Sequence, residues 1–355
     1  MIQGASKRTV KRTVADQATL TTTRGFAGRL PDGRLVRDVL GRYPLFTEHS
    51  GKNWAFSPTE LDCPVSFPAG YIADERIWTL PDPPVYEHEE IAVDTVKEAL
   101  RESLTGIESD DLAIGFSGGV DSAVVASELD GPCFVVGFER SHDIESAQES
   151  AHAMDLSLET INCTHAEIER AVPIVARATG RMNAMDVSIA LCLYLVAERA
   201  FEQGYNRLAV GQGADELFGG YEKVLRADHR VTADSTRGAT REVIASLPNQ
   251  LERDVLAIRA AGVEPVAPIL DDRVVSAALR LDGPMLATEG ERKRVFRRAA
   301  RAFVPHEIAE RKKKAAQYGS LIARELDRLA RQAGYKRRMD DHVEQYIESL
   351  LDCSR

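Results

Sequence analysis

The sequence predicts an α/β protein in which a parallel sheet carries helices on both faces, with a helical C-terminal extension and a small β-rich N-terminal domain. Two short apolar runs, Leu112–Phe116 and Cys133–Phe138, are typical of strands that are buried on both faces. Segments with helical spacing separate these runs from a further buried strand at Arg207–Gly211. Strands that alternate with helices form parallel sheets, because the chain must cross back over the sheet between one strand and the next.

The first 84 residues have a different pattern from the rest. Residues 1–20 form a Ser/Thr/Lys/Arg-rich arm, which we expect to be disordered, with an edge strand or an anion contact as the alternative. Short β-like runs broken by turn residues fill 21–80. Successive prolines in Leu80–Pro84 resist both helix and sheet and indicate a linker. We therefore predict two domains, 1–84 and 85–355.

Helices and strands alternate after the linker. The remaining predicted elements are a helix through Ile91–Leu104, a helix from Ser122, a helix near 144–154, a strand near 158–161, a core helix at 186–203 and a helical pattern from 240 almost to the end. The last helix has one apolar stripe, which we expect to pack on the domain, with dimerisation as the alternative. That stripe consists of Met339, Val343, Tyr346, Ile347, Leu350 and Leu351.

Composition restricts the class of protein. The 355 residues are 44% hydrophobic, which is enough to bury a sizeable core. No run approaches the roughly 18 apolar residues of a membrane span, and no secretory leader is recognisable, so we expect a cytoplasmic protein without membrane contact. The net charge of −10 makes nucleic acid an unexpected partner. Five scattered cysteines indicate reduced thiols, and the eight histidines lack metal-ligand spacing.

One hexapeptide has the composition of a phosphate-binding loop. It follows the strand at Leu112–Phe116 and opens the next helix, at the edge of the sheet where ligands of such folds bind. Its backbone N–H groups, the helix dipole and two hydroxyl groups favour phosphate oxygens. A carboxylate beside a phosphate is favourable when Mg²⁺ lies between them. The loop consists of Ser117, Gly118, Gly119, Val120, Asp121 and Ser122.

A second glycine-rich segment, Gly211–Tyr221, follows the strand at Arg207–Gly211. It carries two adjacent carboxylates, Asp215 and Glu216, and an amide at Gln212. Because both segments follow the ends of parallel strands, we expect them to face each other across the sheet.

The first motif, S-G-G-V-D-S, resembles the signature of the PP-loop ATP pyrophosphatases, which have the adenine nucleotide alpha hydrolase-like fold. The second, G-Q-G-A-D-E-L-F-G-G-Y, resembles the corresponding loop of the asparagine synthetase family. The resemblance implies ATP and Mg²⁺ as cofactors, with Asp121 and Asp215 sharing the Mg²⁺-pyrophosphate site. It also implies adenosine contacts from Phe116, Val136, Val210 and Gly211, although each is equally well explained as core.

Further matches follow in the family's order. Gly262–Asp271 resembles its G-V-E-x-R-x-P-F-L-D segment, and Lys293–Arg297 resembles its K-x-x-L-R helix. Pro305–Lys313 resembles the segment that carries the family's catalytic lysine. The resemblance implies that Lys313 is this lysine, with Lys312 or Lys314 as the alternative. It further implies a catalytic part for Glu264 and substrate contacts from Gln212, Glu216 and Asp271.

The N-terminal domain resembles the end of class II glutaminase domains. Arg37–Phe46 and Phe67–Tyr71 match two of their segments. The nucleophile of such domains is a cysteine at position two, where this sequence has Ile2. We therefore expect no glutaminase activity, with ammonia taken from solution or from a separate glutaminase subunit.

The resemblance implies an AMP- and pyrophosphate-forming amide ligase that adenylates an aspartate-like carboxylate and transfers ammonia to it. Two departures leave the carboxylate open: Gln212 replaces the family's glutamate, and Val266 replaces its arginine. The alternatives are the same chemistry on another carboxylate, a catalytically silent ATP-binding subunit, and a PP-loop tRNA-modifying enzyme. The last would be expected to have cysteine pairs or an RNA domain, which the sequence does not show.

Overall fold

The computed structural model describes residues 1–48, 53–226, 233–311 and 316–353. The predicted catalytic Lys313, together with Lys312 and Lys314, lies outside the described residues. Among the described helices, none is both long enough and apolar enough to cross a membrane.

The N-terminal region, residues 1–84, contains two small antiparallel sheets. Its elements are β1 (Ile2–Gln3), α1 (Lys7–Asp16), β2 (Ala27–Arg29), β3 (Leu35–Arg37), β4 (Phe46–Glu48), β5 (Trp54–Ala55), β6 (Pro64–Ser66), β7 (Tyr71–Ile72) and β8 (Glu75–Arg76). One sheet has the order β1-β2-β3-β7-β8 and the other the order β5-β4-β6. The expected disorder of the first 20 residues is wrong for most of them. The alternative of an edge strand holds for β1, while α1 was not predicted.

Helix α1 forms although its mean composition is polar. Ser6 caps its first turn by accepting a hydrogen bond from the backbone N–H of Thr9 at 3.1 Å. Val10 is fully buried against Phe26 and Trp78 in the small core of this region. The helix therefore depends on one cap and a narrow apolar face. In the sequence these two features are too weak to distinguish a helix from a disordered basic segment.

The C-terminal region alternates helices and strands. It runs through α2 (Glu89–Thr105), β9 (Leu112–Gly115), α3 (Val120–Glu128), β10 (Cys133–Gly137), α4 (His142–Ala153), β11 (Leu158–Asn162), α5 (His165–Thr179), α6 (Ala184–Glu202), β12 (Arg207–Ala209), α7 (Ala214–Leu217), α8 (Glu222–Arg226), α9 (Thr236–Ala260) and β13 (Glu264–Val266). The helical extension contains α10 (Asp272–Ala278), α11 (Gly283–Leu286), α12 (Arg294–Ala300), α13 (His306–Ala309), α14 (Ala316–Gly319), α15 (Ile322–Gln332) and α16 (His342–Cys353).

Five parallel strands form the central sheet in the order β11-β10-β9-β12-β13. Leu112 and Ile114 point into one apolar cluster, whereas Ala113 between them belongs to the other. Alternate residues of one strand thus serve two cores, one on each face. This confirms the predicted parallel sheet with helices on both faces. Helix α5, which begins with a capping box of Thr164 and Glu167, and strand β13, which contains Pro265, were not predicted.

Buried ion pairs join the two regions. Arg37 pairs with Glu252 of α9 at 3.3 Å, and Arg42 pairs with Asp272 of α10 at 2.8 Å. Removing one partner of these buried ion pairs would leave an uncompensated charge, so the pairs fix how the N-terminal region sits on the sheet.

The C-terminal helix α16 packs on the domain as predicted, with Tyr346 donating a hydrogen bond to Glu169 of α5 at 2.7 Å.

Candidate functional site

The loop between β9 and α3 is shaped by its hydroxyl groups and glycines. The hydroxyl of Ser122 accepts a hydrogen bond from the backbone N–H of Ser117 at 3.2 Å and donates one to the carbonyl of Gly119 at 3.1 Å. Gly118 has a φ of +71°, and a side chain there would clash with the carbonyl of Ser146. The turn brings Val120 and Asp121 into the first turn of α3, where backbone N–H groups are open to an anion.

The second loop, which follows β12, touches the first. A Cβ atom on Gly211 would lie 2.9 Å from the backbone carbon of Asp121 and 2.9 Å from the nitrogen of Ser122. Only a residue without a side chain allows this approach. The sequence-based expectation that the two loops face each other therefore agrees with their positions.

Lys293 joins the two loops. Its ammonium nitrogen lies 2.7 Å from Oδ2 of Asp121 and 2.7 Å from Oδ1 of Asp215. Burial alone would lower the pKa of Lys293, but the carboxylates of Asp121 and Asp215 outweigh it and raise that pKa. We call these three residues the Lys293 cluster. In the sequence, Lys293 belongs to a segment that resembles a helix motif of the family, and nothing there predicted that it joins the two loops.

The Lys293 cluster fits the donor set of a magnesium site. Two carboxylates converge on one point, and Mg²⁺ is commonly held by one or two carboxylates together with substrate phosphates and water. No group of three or more metal-ligating side chains occurs in the described part of the chain. Asp121 and Asp215 would supply two of the ligands, and substrate phosphates and water would supply the others.

The side chain of Glu216, a predicted substrate contact, is engaged inside the second loop. It is buried and accepts a hydrogen bond from the hydroxyl of Tyr221. Burial, together with the neighbouring charge of Asp215, raises the pKa of Glu216. Burial, followed by the charge of Glu216, raises the pKa of Tyr221 as well. The hydrogen bond between Glu216 and Tyr221 therefore stabilises the conformation of the second loop.

Gln212 is held by a group that the sequence did not reveal. Its Nε2 atom donates a hydrogen bond to Oδ2 of Asp254 on α9 at 2.7 Å. Arg253 binds the other oxygen of Asp254 at 2.7 Å and also binds Asp186 on α6 at 2.6 Å. One of the two amide hydrogens of Gln212 is thus engaged, which leaves the other hydrogen and the carbonyl oxygen available to a ligand.

Three further predicted residues do not join the Lys293 cluster. Glu264 stands at the start of β13, opposite Arg207 in the register, and pairs with Arg259 at 3.0 Å. Both loops follow the carboxyl ends of their strands, whereas Glu264 stands at the amino end of β13. Glu264 therefore lies at the opposite end of the strands from the two loops. Asp271 caps α10 and binds the guanidinium of Arg273 at 2.9 Å. The third, Lys313, falls among the residues that are not described.

The residues predicted to contact adenosine lie in the core near the strand ends. Phe116 is 1% exposed, and Val136 and Val210 are each 5% exposed. Their side chains pack within the two apolar clusters of the sheet. The alternative of plain core therefore accounts for the three side chains.

The fold and the facing loops define a class of protein: an α/β domain that carries a glycine-lined, acidic site at the carboxyl ends of parallel strands. The family model for asparagine synthase matches residues 94–241 and 227–351, and the chain belongs to this family.

Curated relatives have the same family name. The chain is 29% identical over 282 residues to a putative glutamine-hydrolysing asparagine synthetase of Methanocaldococcus jannaschii, covering 68% of this chain and 52% of that protein. It is 24% identical over 315 residues to asparagine synthetase B of Escherichia coli, covering 78% of this chain and 56% of that protein. The chain thus spans about half the length of these relatives. A solved NMN synthetase from Francisella tularensis is 16% identical, with a TM-score of 0.34, over 76% of this chain and 95% of that chain.

Proposed function

We propose that the chain is an ATP-dependent amide ligase, which adenylates a carboxylate, releases pyrophosphate and transfers ammonia to the activated acid. The observation that supports this proposal best is the Lys293 cluster, in which carboxylates from two facing loops converge on a single cation. Membership of the asparagine synthase family makes aspartate the first candidate acid.

In the proposed first step, a carboxylate oxygen of the acid attacks the α-phosphorus of ATP. A new oxygen–phosphorus bond forms, the bond to the β-phosphate oxygen breaks, and pyrophosphate leaves. Backbone N–H groups at the start of α3 and the ammonium of Lys293 offset the charge that develops on the leaving group. A Mg²⁺ ion held by Asp121 and Asp215 would polarise the same phosphate oxygens.

In the proposed second step, ammonia attacks the acyl carbon, the carbon–oxygen bond to AMP breaks, and the amide is released with loss of one proton. The family's glutamate is absent here, and Gln212 cannot accept that proton at neutral pH. The carbonyl oxygen of Gln212, fixed through Asp254, can accept a hydrogen bond from the incoming nitrogen. We propose that it orients ammonia while water removes the proton.

The test is release of pyrophosphate from ATP across a panel of carboxylic acids, with ¹⁵N-labelled ammonium and mass analysis of the product. Release with aspartate and formation of labelled asparagine would support the proposal with aspartate as substrate. Release with another acid would keep the chemistry and change the substrate. No release with any acid would favour a silent ATP-binding subunit.

Substitutions distinguish residues that the proposed reaction needs from residues that it does not need. Asp121→Asn and Lys313→Ala should each abolish release, because the first removes a proposed metal ligand and the second the lysine assigned by resemblance. Cys63→Ser, an exposed position in the N-terminal region, is the matched control and should leave release unchanged. An active Lys313→Ala variant would remove Lys313 from the mechanism.

A further inference from the structure

A cleft of about 700 Å³ lies between the N-terminal region and the edge strand β13. Its volume is that of a small-molecule site. Residues Glu264 to Ala267 line it, so it follows β13 along its length. Gln212 and Leu270 line the cleft beside the candidate site, where Leu270 packs against Gly213. The cleft therefore leads from the starts of the strands to the second loop.

Positive charge dominates the lining. Five arginines line the cleft, against only two carboxylates. The carboxylates are already engaged, since Glu264 pairs with Arg259 and Asp271 with Arg273. Arg12 and Arg207 have no ion pair within the described ranges of the chain. We call this feature the arginine cleft.

Arg24 shows that the charges are close enough to affect one another. Its guanidinium lies 3.8 Å from the nearest carboxylate, that of Asp271, and its buried Nε atom has no hydrogen-bond partner in the described structure. Burial lowers the pKa of Arg24, and the positive charges of Arg273 and Arg207 lower it further against the opposing effect of Asp271. A bound anion would relieve this repulsion.

We propose that the arginine cleft binds a distal anionic group of the acyl substrate, which is an acid with a second negative charge roughly 10 Å from the carboxylate that reacts, about the length of the β13 edge. The proposal rests on the proposed ligase function. The reacting carboxylate would lie beside Gln212 and the distal group among Arg12, Arg24 and Arg207. The chemical class is a dicarboxylic or phosphorylated acid longer than aspartate.

The first experiment measures ATP–pyrophosphate exchange, which needs no ammonia, with acetate, aspartate and straight-chain dicarboxylates from succinate to suberate. Exchange should rise with chain length among the dicarboxylates and exceed that with acetate. In Arg12→Gln and Arg207→Gln, the KM for the best acid should rise about tenfold while kcat changes little. Lys11→Gln, an exposed cation on the same helix outside the cleft, is the control and should change neither value. Equal exchange with acetate, or equal effects in Arg12→Gln and Lys11→Gln, would overturn the proposal.

A second experiment separates failure of the cleft from failure of the ligase. Calorimetric titration with suberate and with tricarballylate needs no catalysis. Both the unsubstituted protein and Lys11→Gln should bind one of these probes, with a dissociation constant about tenfold higher in Arg12→Gln. If exchange fails with every acid but this pattern is seen, the cleft is an anion site and the ligase proposal is wrong. If neither probe binds, the arginine cleft does not hold an anion.

Discussion

The ammonium of Lys293 lies 2.7 Å from Oδ2 of Asp121, one of the two carboxylates that the sequence predicts as metal ligands. The same nitrogen is bound by Asp215 from the facing loop. A lysine on α12's N-cap thus compensates two carboxylates that belong to two separate motifs. The opposite charges of these three side chains hold the two loops together.

Substitution of Lys293 by methionine should destabilise the protein. Two neighbouring carboxylates would lose their common cation, and because the side chain of Asp215 is 45% exposed the cost should be about 2 kcal/mol, less than for a fully buried pair. Added Mg²⁺ should raise the melting temperature of Lys293→Met more than that of the unsubstituted protein, since no ammonium then competes with the ion for the two carboxylates. Thermal unfolding with and without Mg²⁺ measures both effects.

The control is Lys97→Met, which removes a partly buried lysine paired with the exposed Asp94 at 2.6 Å on one helix. Exposed pairs contribute less than about 1 kcal/mol, so this variant should melt near the unsubstituted protein. Equal shifts with Mg²⁺ in all three proteins would argue against a metal site between Asp121 and Asp215.

The sheet and its two loops were predictable from the sequence because each depends on a local pattern. Leu112–Phe116 is apolar because both faces of β9 are covered, and Gly118 and Gly211 occur where other backbones approach closely. The cluster itself was only partly predictable. The part played by Lys293 depends on how α12 is placed against both loops, which no spacing in the sequence records.

The position of Glu264 shows a second limit. The motif match at Gly262–Asp271 implied a residue near the ligand, but β13 was not predicted because Pro265 interrupts its pattern. Without the strand, the sequence could not tell that Glu264 begins it rather than follows it. Helix α5 was also not predicted, although the sequence carries the capping box of Thr164 and Glu167 at its start. That pattern by itself predicts the beginning of a helix.

Replacement of Asp254 by asparagine should impair the ammonia step more than adenylation. Nε2 of Gln212 would lose its charged acceptor, and its carbonyl oxygen would no longer have a fixed direction. We expect the KM for ammonium to rise about tenfold, with ATP–pyrophosphate exchange changed less than twofold. Steady-state kinetics at varied ammonium measures the first quantity and exchange the second. Asp94→Asn, on the surface of α2, is the control. A parallel loss of exchange would mean that Asp254 supports the fold of the whole site.

A methyl group on Gly211 should weaken ATP binding. It would lie 2.9 Å from backbone atoms of Asp121 and Ser122, so the two loops would have to separate. Overpacking of this kind costs about 1–3 kcal/mol. Calorimetric titration of Gly211→Ala with Mg-ATP should therefore give a dissociation constant raised at least fivefold. Gly290→Ala is the matched control, since a Cβ there meets nothing within 4 Å. Unchanged binding by Gly211→Ala would place the nucleotide elsewhere.

The thiols should differ sharply in reactivity. Burial raises the pKa of Cys133 to about 12, and burial likewise raises the pKa of Cys163 to about 12. Only about one such thiol in ten thousand is ionised at pH 8, and the thiolate is the reactive form. Iodoacetamide at pH 8 should therefore modify the exposed Cys63 and leave these two unmodified until the protein unfolds. Peptide mass mapping over time measures this, and early alkylation of Cys133 would contradict its burial.

Asp327 should stabilise the contact between α15 and α16 in a pH-dependent way. Hydrogen bonds from Arg337 first, and then from His342, hold the pKa of Asp327 below its ordinary value of 3.8 in spite of partial burial. A carboxyl group with a lowered folded pKa contributes stability that is fully present above the unfolded pKa and is lost as the pH falls through the folded pKa. At pH 7, Asp327→Asn should therefore unfold at a lower urea concentration than the unsubstituted protein. Its free energy of unfolding should be smaller by about 1 kcal/mol, because Arg337 is largely exposed. The difference should begin to shrink below about pH 4, as unfolded chains bind the proton first. Asp340→Asn, an exposed neighbour, should show no such pH-dependent difference. A difference between Asp327→Asn and the unsubstituted protein that stays constant from pH 7 to pH 3 would show that the stabilisation does not come from the charge of Asp327.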